Sequence, residues 1–282
     1  MSLVSGFFTL PFQHAKAAYD AATFNFSLTF NGQPVHKNDN RYDTVLKQLP
    51  GSHIKEEMQP FLEKVGLRKD PIFYETPNPG IFSTVGADIF KNSDTTVLIT
   101  PGIYEADKHA CTWSIKHEIM HIKSNDHLTI PCVSGVCQLA AAVFGMCSFS
   151  FLPAVATATL VGLISQSLFS KWQEAKADDF AIKNSSDEEL KGGRRFLMTV
   201  QELALENRNT FWSRICISSN GDTPLDIMHP STSSRVKKIE MALRKRGVEL
   251  NKDVEMQKIK DLKSFMKIKK QEFITALQQG KI

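Results

Sequence analysis

His117-Glu118-Ile119-Met120-His121 is the stretch whose reading decides the surrounding fold. Two histidines four residues apart share one face of an α-helix, one turn from each other. Both imidazoles can therefore reach a single metal ion, with Glu118 beside the first of them, where a metal-held water would stand. Zinc lowers the pKa of such a water from about 15.7 to near 7, and a neighbouring carboxylate then takes its proton. The pattern H-E-x-x-H supplies metal, base and geometry for hydrolysis. On an ordinary polar helix face the same residues would do nothing, so a third ligand downstream has to decide between the readings.

Glu174 is that candidate, in Lys171-Trp172-Gln173-Glu174-Ala175-Lys176-Ala177-Asp178-Asp179-Phe180-Ala181. Glu174 and Asp178 are again four apart and share a helix face. A set of two histidines and a glutamate leaves one tetrahedral position of zinc open, the layout of a catalytic site and not of a structural one. Asp178 then accepts the free N–H of a ligand imidazole and fixes its tautomer. The expectation is one Zn2+ per chain, held by His117, His121 and Glu174.

Taken together, His117 to His121, Glu174 to Asp178 with the small Ala177 and Ala181, and the later His229-Pro230-Ser231-Thr232-Ser233-Ser234-Arg235 resemble the M48 family of zinc metallopeptidases. The family pattern is H-E-x-x-H, then E-x-x-x-D, then H-P-x-x-x-x-R, and all three occur here in order, between about Ile54 and Met241. The resemblance implies Glu118 as general base and places His229 and Arg235 where the oxyanion is stabilised or the site supported. Positive charge beside a developing oxyanion is chemically sensible. The same His-Pro-Ser-Thr run also reads as a start signal for a helix near Arg235.

The implied protein is a mainly helical α+β, zincin-like peptidase domain with a small sheet, acting as a zinc-dependent endopeptidase on proteins or peptides. The alternative is a catalytically silent zinc-binding interaction protein of the same fold. The family usually has Asn-Ala-Phe upstream of the zinc helix, and here the corresponding piece is Gly86-Ala87-Asp88-Ile89-Phe90. The β-branched run after it reads as a strand stopped by Pro101-Gly102. Its residues Thr96, Val97, Leu98 and Ile99 are expected to border the cleft and pair with an extended substrate backbone.

From Leu128 to Ser170 there is no Asp, Glu, Lys, Arg or His. This run lies between His121 and Glu174, so both its ends return to the metal site, which a helical hairpin satisfies. Pro153 is expected to divide it into Cys132–Leu152 and Ala154–Phe169, each near the length of about 20 residues that crosses a hydrocarbon core. Small residues such as Gly135, Ala140, Ala141, Gly145 and Gly162 suit close packing of membrane helices. The hairpin either enters a bilayer or packs inside protein. In the first case Lys116, Lys123, Lys171 and Lys176 favour a cytoplasmic-side active site; in the second the protein is soluble and cytoplasmic.

The remaining sequence sets boundaries. Residues 1–50 form an N-terminal segment with a possible regulatory role, 51–241 the peptidase domain, and 242–282 a basic helical tail. Met1 to Phe12 has no basic n-region, so no secretory signal is expected. Five cysteines, three of them in the uncharged run, suit a reducing compartment better than a disulfide scaffold. Net charge is +4, concentrated after Arg235, where apolar residues such as Leu262, Phe265 and Met266 recur at helical spacing. That pattern reads as a solvated helix or as a basic element attracted to anionic lipid. Nucleic-acid binding has neither an aromatic platform nor a recognised motif to support it.

Overall fold

The computed structural model describes residues 28–30, 33–35, 47–48, 53–75, 83–85, 95–100, 102–148, 150–223, 226 and 229–279. Most of the N-terminal segment 1–50 and the 86–90 stretch lie outside the described residues. Within them the chain is mainly helical α+β, consistent with a zincin-like domain.

Strands β1 (Leu28–Phe30) and β2 (Gln33–Val35) pair antiparallel. A second sheet contains β3 (Lys47–Gln48), β4 (Ile72–Glu75), β5 (Ser83–Val85) and β6 (Thr96–Ile99) in the order β3-β4-β6-β5. Helix α1 (His53–Val65) connects β3 to β4. β4 and β6 are parallel, and the two outer pairings are antiparallel. The expectation that Thr96, Val97, Leu98 and Ile99 pair with substrate does not hold. β6 is an interior strand, its two edges are bonded to β4 and β5, and all four of its residues are buried. A strand with both edges occupied has no backbone groups left for a peptide. Among the described residues, β5 is the outer strand beside β6.

After β6 a left-handed Gly102 (φ 71°) turns the chain into the short α2 (Ile103–Ala106). Asp107 then caps α3 (Lys108–Ser124), its side chain accepting the Ala110 N–H. Every residue of α3 from Ala110 to Ile122 is buried. A helix buried on all sides is the centre of a domain, and α3 carries the H-E-x-x-H residues.

Asn125, left-handed at φ 56°, ends α3 and directs the chain into α4 (Asp126–Ser148). Helix α4 pairs with the 34-residue α5 (Phe151–Asn184) as the expected hairpin. The break falls after Ser148 and not at Pro153. Pro153 sits in the first turn of α5, where a missing N–H has no helical partner to lose. The seam between the helices is small and polar. The Ser134 hydroxyl donates to the Gly162 carbonyl at 3.0 Å, Gly162 lies against Gln138, and Gly145 lies against the Ala154 backbone. The outer faces are apolar and exposed, with Val136, Leu139, Phe144, Leu160, Leu163 and Leu168 among them. Among the described residues, no other element covers these outer faces. Two of its stretches, Thr129–Ser148 and Pro153–Asn184, are long and apolar enough to cross a membrane.

Helix α6 (Asp187–Glu206) starts at a capping box formed by Ser186 and Glu189, which satisfies two otherwise orphaned donors. Gly192 and Gly193 let it approach α3 closely: a Cβ on either would lie 2.3 Å from the His109 backbone or the Trp113 ring. After α7 (Phe211–Cys216) and α8 (Thr232–Lys245), α9 (Lys252–Gln278) returns along α6. Leu262 and Met266 of α9 belong to the same core as Ile99, Ile115 and Ile119. Arg195 of α6, 1% exposed, bridges Asp107 and Glu255. The basic segment after residue 242 is therefore part of the domain core on one face and charged on the other, not a solvated tail.

Candidate metal centre

Two helices build the site. α3 presents His117, Glu118 and His121 from consecutive turns, and α5 crosses it with Glu174 and Asp178. The Nε2 atoms of His117 and His121 are 3.1 Å apart. The Glu174 carboxylate lies 3.3 Å from the first and 3.2 Å from the second. These three side chains are a group able to hold a metal ion.

The far sides of the rings explain why the near sides converge. His117 Nδ1 is 3.0 Å from an Asp178 oxygen, and His121 Nδ1 is 2.7 Å from an Asp126 oxygen. Each carboxylate accepts an Nδ1–H, which leaves the Nε2 lone pair facing inward. Two lone pairs and a carboxylate facing one another make an electron-rich site that a cation would neutralise. Burial lowers the pKa of His121, yet Asp126 and Glu174 outweigh it and push it up to about 10. Burial likewise opposes charge on His117, and Asp178 and Glu174 raise its pKa on balance.

A zinc ion fits the same place. Bonds of about 2.0–2.2 Å at tetrahedral angles put ligand atoms about 3.3 Å apart, against the observed 3.1–3.3 Å. Glu174 Oε2 is buried without a hydrogen-bond partner among the described residues, as a metal-directed oxygen would be.

Asp178 also accepts a bidentate pair from Arg235 of α8, at 2.9 and 2.8 Å. The Arg235 guanidinium lies 3.9 Å from Glu174. It thus balances two buried carboxylates, which would otherwise be costly to hold together. His229 stands at the mouth, half-exposed, with Nδ1 tied to Asp226 at 2.9 Å and Nε2 directed to Glu174 at 3.7 Å. The cleft here has a volume of about 360 Å³, and Glu118, His117, Glu174, His229 and Arg235 all line it. Every expected site residue except the four of β6 converges on this cleft or its supports.

Asp126 and Asp226 are the site residues that the motif spacing does not reveal. Asp126 follows His121 by five residues, out of helical register with it. Only the left-handed turn at Asn125 brings it back under the ring.

A helix bearing H-E-x-x-H, a glutamate from a second helix and an open cleft define the zincin class of metallopeptidase. The model of peptidase family M48 matches residues 53–243, and the chain belongs to that family. No curated protein matches the chain, and no solved structure matches it.

Proposed function

We propose that this chain is a zinc-dependent endopeptidase in which His117, His121 and Glu174 hold the metal and Glu118 is the general base. The observation that carries the reading is the convergence of three electron-pair donors whose tautomers are fixed from behind by Asp126 and Asp178. Zinc, when bound, supplies Lewis acidity, lowering the pKa of a coordinated water and polarising a carbonyl.

The chain's own residues do the rest. Glu118, 9% exposed and facing the cleft, takes the proton of the attacking water and returns it to the departing amine. Asp226 holds Nδ1 of His229 and turns Nε2 toward the cleft, where the imidazolium form would donate to the oxyanion. Arg235 keeps Asp178, and through it His117, in place. Among the described residues β5 is the strand next to the interior β6, and its outer edge suits an extended substrate.

The apolar hairpin supports membrane association. Each arm of 20 residues, Thr129–Ser148 and 151–170, rises roughly 30 Å, the thickness of a hydrocarbon core. The inverted pattern, apolar outside and small or polar inside, is what lipid rather than water selects. Trp172, 55% exposed, lies beside Phe169 and under Lys176 at the base, the composition of a membrane interface. Lys171 and Lys176 favour a cytoplasmic side for that base and for the metal site just beyond it.

Substituting Glu118→Gln tests the reading. Peptide hydrolysis should disappear while zinc is retained. Zinc retention in a parent protein that cleaves no peptide would instead favour the silent, membrane-associated interaction protein.

A further inference from the structure

The cleft has two unlike walls. One carries the site residues already described. The other is formed by Phe196, Leu197 and Val200 of α6 with Trp113 of α3. Phe196 and Val200 are one helical turn apart and half-buried, so they share a face, and Leu197 lies between them, buried.

No charged residue belongs to that second wall, although α6 is rich in charge. Arg194 turns to Glu240, and Arg195 is sealed against Asp107 and Glu255. The charges of the cleft, Arg235 with Asp178, Asp226 with His229, Glu174 with the two histidines, and the general base Glu118, all belong to the metal wall. A charged substrate side chain packed against this second wall would lose water and gain no counter-ion from it. An apolar one would cover the exposed parts of the half-buried Phe196 and Val200.

We infer that this wall is the specificity pocket of the site, and that it selects substrates with an apolar side chain next to the scissile bond. Phe196 and Val200 are the determining residues. The assignment rests on the peptidase reading above for its catalytic meaning, but the preference itself is a binding property. Trp113 forms the floor, held under the pocket by contact with Gly193 and stacked on His117 at 5.8 Å between ring centres.

The test uses full-length, zinc-loaded protein and three hydroxamate probes differing only in one side chain: isobutyl, carboxymethyl or aminobutyl. Affinities are read by calorimetry, so turnover is not needed. The isobutyl probe should bind about 10- to 100-fold more tightly than either charged probe, the range a hydrophobic pocket supplies. Val200→Lys should reverse the order, weakening isobutyl and favouring carboxymethyl. Equal affinity for the three probes in the parent overturns the assignment, whatever the variant does. So does failure of all three to bind zinc-loaded protein. Normal probe discrimination without cleavage of any peptide sustains the pocket and counts against the peptidase reading instead.

Discussion

Asp126 lies 2.7 Å from Nδ1 of His121, and this pairing aims Nε2 of the second histidine at His117 and Glu174, the proposed metal position. The aspartate is 3% exposed and begins the helix that follows the H-E-x-x-H helix. One residue thus links ligand orientation to the start of the apolar hairpin.

Asp126→Asn keeps the volume and removes the anionic acceptor. Loss of such a partner typically weakens metal binding about 10- to 100-fold. Competition titration with a chromophoric chelator should show a drop of that size, with helix content unchanged. Unaltered zinc affinity would show that His121 is oriented by packing alone.

Gly193→Ala should be disproportionately harmful for a single methyl group. Its Cβ would stand 2.3 Å from the Trp113 ring, and Trp113 stacks on His117. Overpacking of this kind costs about 1–3 kcal/mol. The urea midpoint should fall and zinc affinity with it. A stable variant with parental zinc binding would mean that α6 can move away freely.

The Arg195 cluster predicts an acid-labile fold. Burial raises the Asp107 pKa, but Arg195 outweighs burial and the net shift is downward. The unfolded aspartate titrates near about 3.9, so the stabilisation is full above that pH and is lost as pH falls through the lower folded value. Urea midpoints measured from pH 6 to pH 2 should decline on that limb. Arg195→Met leaves two buried carboxylates without their cation and should cost about 3–5 kcal/mol at neutral pH. A near-neutral effect would show that water compensates Asp107 and Glu255.

Charge on the outer face of the hairpin should abolish membrane retention. Leu139 and Leu163 are 60% and 51% exposed, and each arginine near a bilayer centre costs about 2.5–3.5 kcal/mol. Parental protein should stay in the membrane pellet after carbonate extraction, and Leu139→Arg with Leu163→Arg should release it. Parental protein found wholly in the soluble fraction would contradict the membrane reading.

Much of this site is legible in local spacing. His117, His121, Glu174 and Asp178 each sit four residues from a partner, and helix geometry converts that spacing into a shared face. Relations that depend on non-local pairing are less visible. Thr96–Ile99 reads as a strand from its β-branched residues, but its neighbours are set by sheet order, which places it inside. Asp126 escapes notice because a left-handed turn, not a helical repeat, returns it to His121. Pro153 signals a break, yet the hairpin turns just before it, since proline is tolerated in a first helical turn. The apolar positions of Leu262 and Met266 indicate an amphipathic helix without telling whether protein or lipid covers them. Packing on α6 supplies the answer.

The most direct test of the account is zinc per chain in purified protein, measured for the parent and for Glu174→Gln. The account predicts about one equivalent in the parent and a sharp loss in the variant. No zinc in the parent after attempted reconstitution would contradict it, and His117, His121 and Glu174 would then be a buried proton-sharing cluster, not a metal centre.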